Sequence, residues 1–305
     1  IEFPASLRSI SSDVFKNTGL RSVSLNKVES VGDYAFAECK QLSSLDLGVV
    51  QAFGRSVFLD CVALTEVSLP ETVAGSGIEL FGGCTALAKV DLPESGIALQ
   101  YNAFVGTSCA AAAENWKDGM LIIDGYLFGA NEKFKGTSVL RLPEGIVSVA
   151  AAAMSASYGA MGCVDSLSSV VFPQSIRSIG SKAFYNCPAL ASVEMPQGVK
   201  LNGVGEDVFK GTPYLQNDAN WEDNGLYLAN WLLAVKDTAM TSFTVREGTE
   251  YIVNSSSSSR LFTKTAAASL QSLTLPSSLK AIGDYAFYYL GELTSVTLPA
   301  GLEHI

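Results

Sequence analysis

Histidine is almost absent from this chain of 305 residues, whose sequence contains only His304, near its C-terminal end. Ser-His-Asp and Cys-His catalysis both need an imidazole to carry a proton, so neither class of hydrolase fits. The six cysteines form no C-x-x-C pair and have no histidine partners, which excludes the usual zinc sites. No Walker, G-x-S-x-G or G-x-G-x-x-G motif stands in a suitable context. We therefore expect a non-enzyme with no catalytic residues, no cofactor and no metal.

Positive charge is also scarce. The chain has 20 Lys and Arg residues, well scattered, against 30 Asp and Glu, which gives a net charge of −10. Nucleic-acid binding needs clustered basic residues, so this balance argues against a nucleic-acid partner. The sequence also lacks an apolar run of about 18 residues, the minimum for a membrane-spanning helix, so we expect no membrane span.

What the sequence does contain is an internal repeat. Residues 276–298 read PSSLKAIGDYAFYYLGELTSVTL, and the pattern restarts at Pro299, while residues 173–195 place similar residues at the same offsets. A period of about 23 residues is typical of a leucine-rich solenoid, in which each repeat is one coil. Coils bury their faces only against neighbours, so residues 1–305 are expected to form one solenoid domain. The fold class is thus an α/β solenoid, a right-handed superhelix of about ten or eleven coils.

Each repeat predicts two local structures. The V-x-L segment alternates inward and outward side chains, which predicts a short strand that stacks in parallel on its neighbours. The I-G-x-x-A-F segment predicts a short helical turn, with glycine at a tight bend and phenylalanine inside the coil. The phenylalanines expected to be nearly fully buried are Phe36, Phe58, Phe81, Phe104, Phe184, Phe209 and Phe287.

Two segments interrupt the repeat. Asp124-Gly125 lies between two apolar runs, which is a strong β-hairpin signal because both turn positions favour positive φ. A related segment begins at Asn220-Trp221. We predict two β-hairpin insertions, at about residues 108–136 and 213–241. Both chain ends fall inside a repeat, so we also expect the chain to be a fragment of a longer protein.

Four cysteines occupy one column of the repeat. Cys39, Cys61, Cys84 and Cys187 each lie three residues after the repeat phenylalanine, where other coils carry threonine or leucine. Such a column favours a small buried group, so we expect packed, reduced thiols. Cys109 and Cys163 lie off this column, and they could pair if the protein is exported.

The outward side chains of the V-x-L strands form the first candidate ligand surface. They are mostly small and polar, with an acidic focus on coils two to four. The candidate residues are Asp46, Glu66, Ser68, Lys89, Asp91 and Glu194. The sheet face is the usual ligand surface of a solenoid. The alternative interpretation is a solvated ladder of good strand formers.

Aromatic side chains in and near the hairpins form the second candidate. Trp116, Tyr126, Trp221 and Trp231 could make a contact patch, because tryptophan and tyrosine are common at binding hot spots. They could instead cover the coil interior beneath each hairpin. The group Tyr285, Tyr288 and Tyr289 resembles a sugar-stacking platform only weakly, since Tyr34 shares the column of Tyr285 and favours a structural role.

The sequence pattern I-G-x-x-A-F-x-x-C-x-x-L-x-x-V-x-L-P resembles the BspA-type leucine-rich repeat of bacterial surface proteins. The resemblance covers nearly the whole chain. This resemblance implies a secreted or cell-surface adhesin that binds host or microbial proteins, such as matrix proteins, or glycans. It implies no catalytic residues. A structural spacer that carries another domain is the alternative function, and an enzyme is a third, less favoured one.

Overall fold

The computed structural model describes residues 1, 3–257 and 259–305. Two α-helices are present among them, α1 (Ser108–Ala111) and α2 (Lys264–Ser269), with single 3-10 turns at Ala113–Asn115, Glu132–Phe134, Pro213–Gln216 and Asp218–Asn220. The strands are β1 (Ser9–Ile10), β2 (Ser22–Ser24), β3 (Ser30–Val31), β4 (Ser44–Asp46), β5 (Ala52–Phe53), β6 (Glu66–Ser68), β7 (Gly75–Ser76), β8 (Lys89–Asp91), β9 (Trp116–Lys117), β10 (Met120–Ile123), β11 (Tyr126–Ala130), β12 (Val139–Arg141), β13 (Ser148–Val149), β14 (Ser169–Val171), β15 (Ser178–Ile179), β16 (Ser192–Glu194), β17 (Gly203–Val204), β18 (Trp221–Glu222), β19 (Gly225–Leu228), β20 (Trp231–Val235), β21 (Ser242–Thr244), β22 (Tyr251–Ile252), β23 (Ser272–Thr274), β24 (Ala281–Ile282) and β25 (Ser295–Thr297).

The V-x-L segments form three-residue parallel strands, as predicted. They pair in the groups β2–β4, β6–β8, β12–β14–β16 and β21–β23–β25. The register matches equivalent repeat positions, so that Val170 lies opposite Val193. The middle residue of most of these strands points into the core, while its two neighbours point outward. The chain is therefore a solenoid of stacked coils, and we call this outward surface the strand face.

A second parallel sheet, which the sequence did not predict, runs along another side of the coils. It is built from two-residue strands at the start of the I-G-x-x-A-F segments, paired in the orders β1–β3–β5–β7, β13–β15–β17 and β22–β24. The segment itself forms hydrogen-bonded turns between coils, for example Phe36 N to Val57 O at 3.0 Å. It contains no helix, so the predicted helical turn is wrong.

The glycine of this segment is explained by contact between coils and not by a tight bend. A Cβ atom at Gly32 would lie 2.6 Å from the backbone nitrogen of Ser12 in the preceding coil. At Gly180 the corresponding distance, to the nitrogen of Ala151, would be 2.3 Å. Any side chain here would push neighbouring coils apart, so glycine sets the close spacing of the solenoid.

The phenylalanine column forms the centre of the core. Successive rings are stacked nearly parallel, with centroids 5.6 Å apart for Phe36 and Phe58 and 5.3 Å apart for Phe58 and Phe81. Six of the seven predicted phenylalanines are buried, with at most 2% exposure: Phe36, Phe58, Phe81, Phe104, Phe184 and Phe209. Phe287 is only half-buried, because no further phenylalanine of the column among residues 1–305 follows to cover it.

The two irregular segments contain antiparallel hairpins, β10 with β11 and β19 with β20. Asp124 and Gly125 both have positive φ, of 47° and 77°, as their turn requires. The second strand of each hairpin also pairs in parallel with the next coil, β11 with β13 and β20 with β22. Each hairpin thus belongs to the second sheet instead of projecting from it.

The cysteine column is occupied by buried free thiols, and Cys109 and Cys163 are free and buried as well. Each column thiol donates a hydrogen bond to a backbone carbonyl of the preceding coil, such as Cys84 Sγ to Phe58 O at 3.0 Å. The threonines of this column also donate to a backbone carbonyl, as in Thr107 Oγ1 to Phe104 O at 2.7 Å. Cysteine and threonine in this column thus share a small side chain that donates a hydrogen bond, whereas Leu290 fills the same position with a buried apolar side chain.

Candidate functional site

The strand face of coils one to four presents two columns of side chains. The first consists of Ser22, Ser44, Glu66 and Lys89, and the second of Ser24, Asp46, Ser68 and Asp91. Seven of these eight are exposed, and Ser24 is half-buried. Because the core lies on the opposite side of the strands, these positions can vary without disturbing it.

The three acidic residues do not share one column. Glu66 pairs with Lys89 across β6 and β8, with Nζ and the carboxylate 3.5 Å apart and both side chains more than two-thirds exposed. Such an exposed pair stabilises the fold by less than about 1 kcal/mol. Its main effect is to offset part of the acidic charge of the face.

Asp46 and Asp91 lie in the second column, with Ser68 in the strand between them. Each carboxylate accepts a hydrogen bond at 2.8 Å from the serine one coil earlier, Ser24 for Asp46 and Ser68 for Asp91. These bonds hold the carboxylates in fixed positions on the sheet while leaving them exposed. The result is a small, ordered array of acceptor oxygens that a cationic group could reach.

Glu194 is not part of this array. It lies on β16, in the separate group β12–β14–β16, and its strand partner is Val171. The hairpin between β8 and β12 divides the strand face at this point. The six residues suggested by the sequence are thus reduced to five that share one surface.

The hairpin aromatics do not form a patch that includes Tyr126. This residue is fully buried, its hydroxyl donates to Pro93 O at 2.6 Å, and burial raises its pKa. The proposed surface role of Tyr126 is therefore wrong, because the ring fills the space between the hairpin and the preceding coil.

The three tryptophans are half-buried, and the indole N–H of each donates a hydrogen bond to a backbone carbonyl. Trp116 donates to Ala110 O at 2.8 Å and Trp221 to Leu215 O at 3.0 Å, one in each hairpin segment. Trp231 donates to Leu201 O at 3.0 Å and stacks on Tyr251 with a centroid distance of 4.7 Å. These contacts favour the interpretation in which the tryptophans cover the coil interior.

Sequence reasoning missed a charged cluster beside the second hairpin. The Glu250 side chain is only 9% exposed and lies between Lys280, at 2.9 Å, and Lys200. Burial raises the pKa of this carboxyl, but the two lysines outweigh burial and hold the pKa below its usual range. The members lie on three different coils, 50 and 30 positions apart in the chain. No local motif could have revealed them.

A cavity of about 220 Å³ was also not foreseen. Leu215, Leu226 and Leu233 contribute to its wall, and Asp207 and Lys210 lie at its polar side. Asp207 accepts hydrogen bonds from Ser259 and from Lys210, the latter at 3.1 Å, so these polar groups satisfy one another. Glu206, Arg260 and Thr263 also line the cavity, so its wall is mostly apolar with several further polar side chains.

The residues that the structure describes include neither a metal-binding cluster nor a membrane-spanning helix. No group of three or more His, Cys, Asp or Glu residues in that part of the chain is arranged to hold a metal ion. None of its helices has the length and apolar character needed to cross a membrane.

Comparison with known proteins gives a family match along the chain. The model of the family described as BspA type leucine rich repeat region (6 copies) matches residues 1–111, 108–230, 156–259 and 255–305. No curated protein matches the sequence.

Among solved structures, the chain is similar to a leucine-rich repeat protein from Bacteroides ovatus, with 21% identity over 99% of this chain and 88% of that one and a TM-score of 0.33. It is also similar to a leucine rich cell surface protein from Faecalibacterium prausnitzii, with 21% identity, coverage of 97% and 86% and a TM-score of 0.30. A third similar structure is a leucine rich repeat protein of T. pallidum, with 18% identity, coverage of 69% and 75% and a TM-score of 0.31.

Proposed function

Because the chain belongs to the BspA-type leucine-rich repeat family, we propose that it is a non-catalytic binding protein of the bacterial cell surface. Its partner is a protein that presents a basic segment, and the binding surface is the strand face of coils one to four. The family assignment supports a binding role in general. The choice of the strand face as the binding surface depends on its acidic charge and on the hydrogen bonds that hold its aspartates in place.

The observation that carries this proposal is the acidic array of Asp46, Glu66 and Asp91 on consecutive strands. Asp46 and Asp91 lie two strands apart in one column, about 10 Å at ~4.8 Å per strand, so their charges repel one another modestly and a cationic partner relieves that repulsion. The net charge of −10 adds a long-range attraction that steers basic partners toward the protein.

Lys89 limits what the partner can be. It neutralises Glu66 in the free protein at 3.5 Å, so a bound cation must compete with it or settle between Asp46 and Asp91. A flexible basic segment with several lysines or arginines can do both. A single small cation would have to replace the serine hydrogen bonds of both aspartates.

The proposal is tested with a fluorescent deca-lysine peptide as the probe, titrated at low and high NaCl. The test variant combines Asp46→Asn, Glu66→Gln and Asp91→Asn. The matched control combines Glu114→Gln, Asp165→Asn and Glu292→Gln, three exposed acidic residues outside the strand face. Both variants change the net charge equally, so they separate the local array from the overall charge.

We expect the test variant to bind the peptide about tenfold more weakly at low salt, which corresponds to about 1.4 kcal/mol spread over three charges. Its affinity should also depend less on salt. The control variant should keep most of the wild-type affinity. If the two variants lose affinity equally, the peptide is attracted by the net charge of the protein, and the strand face is not the binding surface.

A further inference from the structure

Three tyrosines on successive coils form a row of aromatic rings in the middle of the solenoid, on the side of the turns. Tyr158 lies between Tyr101 and Tyr185, with ring centroids 6.4 Å apart on each side and a tilt of 44° between neighbouring rings. Tyr158 is 46% exposed, and the other two are half-buried. We call this row the tyrosine ladder, and we propose that it binds an uncharged linear oligosaccharide along the solenoid axis. The site lies outside the strand face, so it adds a second ligand to the proposed function.

The exposure of the ladder does not result from a missing neighbour. The coil before the ladder is bonded to the first ladder coil, with Phe81 N donating to Ala103 O at 2.8 Å. The last ladder coil is bonded to the coil after it, with Asn186 N donating to Lys210 O at 2.8 Å. Coils therefore flank the ladder on both sides, and its rings still reach the surface.

The repeat does not require tyrosine at two of the three positions. Tyr101 lies three residues before the repeat phenylalanine, where other coils carry Ser12, Asp33, Arg55, Ile78, Ser181, Glu206 and Asp284. Tyr185 lies directly after the phenylalanine, where other coils carry Lys16, Ala37, Leu59, Gly82, Val105, Lys210 and Tyr288. Columns that accept such different side chains have no fixed packing role, so core packing does not explain these two tyrosines.

Tyr158 belongs to an insertion in its coil. Met154 takes the place of the repeat phenylalanine and Val164 that of the column cysteine, so the chain between them is longer than in a regular coil. This segment folds back on its own coil, with Gly159 N donating to Ala152 O at 3.1 Å. A Cβ atom at Gly159 would lie 2.8 Å from that same oxygen, so glycine permits the close approach. The insertion thus holds the Tyr158 ring between the other two, and a ligand does not have to order it.

The polar groups of the ladder suit a ligand that is rich in hydroxyl groups. None of its three phenolic hydroxyls forms a hydrogen bond within the described part of the chain, whereas the buried hydroxyl of Tyr126 donates to Pro93 O at 2.6 Å. Each ladder hydroxyl can therefore both donate to a ligand and accept from it. Asn102 and Asn186 directly follow the first and last ladder tyrosines and bring side-chain amides next to the rings.

The ladder carries little charge, which argues against an ionic ligand. Within three positions of its tyrosines the chain has one charged residue, Lys182. The cationic groups that lie over tyrosine rings in the described structure are all elsewhere, such as Lys16 over Tyr34 at 5.1 Å. A charged ligand needs an opposite charge to offset its loss of hydration, so an uncharged ligand fits this surface better.

The geometry favours a sugar over a peptide or a protein. The face of a sugar ring presents several C–H groups, which the negative face of an aromatic ring attracts, and a linear oligosaccharide offers one such ring after another. A proline-rich helix repeats the same face only every ~9 Å, because it rises ~3.1 Å per residue with three residues per turn. The ladder rings are 6.4 Å apart, so they do not match that period. A stable protein interface covers about 800 Å² on each partner, far more than three side chains provide.

The test measures binding of the neutral hexasaccharides cellohexaose, maltohexaose and mannohexaose by calorimetry. Glucose is the control for chain length, hexagalacturonate the control for charge, and decaproline represents a peptide ligand. The variants that remove a ring are Tyr158→Ser and Tyr101→Ser, the latter placing serine where other coils carry Ser12 and Ser181. Tyr158→Phe keeps the ring without its hydroxyl, and Tyr34→Asn is the matched control outside the ladder.

We expect wild type to bind at least one neutral hexasaccharide more tightly than glucose, hexagalacturonate or decaproline. Tyr101→Ser and Tyr158→Ser should each weaken that binding about tenfold, and Tyr158→Phe should weaken it less because the ring remains. Tyr158→Ser should leave the Tm nearly unchanged, since this ring is 46% exposed. Tyr34→Asn should bind the sugar like wild type.

The triple strand-face variant should also bind the sugar like wild type, so this proposal and the proposed function stand or fail separately. The oligosaccharide site is overturned if wild type binds none of the three neutral hexasaccharides, or if it binds hexagalacturonate or decaproline best. It is equally overturned if both serine variants keep wild-type affinity, or if Tyr34→Asn weakens binding as much as they do.

Discussion

The carboxylate of Asp124 accepts a hydrogen bond from the backbone N–H of Leu92 at 2.6 Å. In other coils the residue after the V-x-L strand donates to a backbone carbonyl of the next coil, as Leu69 does to Asp91 O at 2.9 Å. After β8 the next coil is displaced by the first hairpin, and the Asp124 side chain supplies the missing acceptor. The same aspartate thus forms the hairpin turn and caps the interrupted sheet.

Replacing Asp124 with alanine should destabilise the protein by about 2 kcal/mol. The change leaves the Leu92 N–H without an acceptor, which costs about 1–3 kcal/mol, and it places alanine at a φ of 47°. Denaturant unfolding measures the loss. Asp124→Asn is the control, since its side-chain oxygen can accept the same bond and asparagine tolerates this φ. Equal losses for the two variants would mean that the hydrogen bond contributes nothing.

Phe184→Ala should destabilise the solenoid by about 3–5 kcal/mol, the range for removing a fully buried phenylalanine. Phe184 has 0% exposure, and its ring stacks on Phe209 at 5.8 Å. Phe287→Ala is the matched comparison, because this ring is only half-buried, and it should cost less. A loss for Phe184→Ala below about 1 kcal/mol in denaturant unfolding would contradict the stacked core.

The buried thiols should resist alkylation by iodoacetamide in the native protein and react fully in denaturant. Burial raises the pKa of Cys187 to about 12, and the hydrogen bond with Cys84, together with burial, raises that of Cys61. A thiol reacts as the thiolate, so these groups are unreactive at neutral pH. Mass spectrometry that finds native-state labelling, or a disulfide at any column cysteine, would refute the packed-thiol interpretation.

The same pKa shifts predict a loss of stability in alkali. The unfolded thiol ionises near its ordinary value of 9.0, whereas folded Cys187 keeps its proton until about pH 12. The stabilisation is therefore complete below pH 9 and is lost as the pH rises toward 12. Cys187→Thr, which keeps the donor of the column without an ionising thiol, should show a weaker fall in Tm above pH 9 than wild type. An unchanged fall would assign the alkaline transition to other groups.

Glu250→Gln should lower the Tm at pH 7, because it removes the charge that holds Lys200 and Lys280 together. The pKa of Glu250 is held below its ordinary 4.5, so its stabilisation is present above that pH and is lost as the pH falls further. The difference between variant and wild type should therefore shrink below pH 4.5. Glu292→Gln, an exposed residue outside this cluster, is the control and should have little effect. A difference that persists unchanged at pH 3 would rule out the ion pairs as its cause.

The sequence by itself determined the features that depend on the repeat. The V-x-L strands, the buried phenylalanines and the packed thiols were all predicted, because each coil meets nearly the same neighbours and one pattern specifies every contact. The hairpin turn at Asp124 and Gly125 was also predictable, since it depends on local backbone conformation. Phe287 is less buried than predicted, because no further ring among residues 1–305 lies over it.

The tertiary structure alone decided how separate coils meet. It separated Glu194 from Asp46, Glu66 and Asp91, buried Tyr126 against the preceding coil, and placed each hairpin in the second sheet. It also placed Arg260 on the rings of Tyr288 and Tyr289, although these residues belong to successive coils. Such contacts depend on the path of the chain through its irregular segments. Because those segments depart from the 23-residue repeat, that repeat could not specify them.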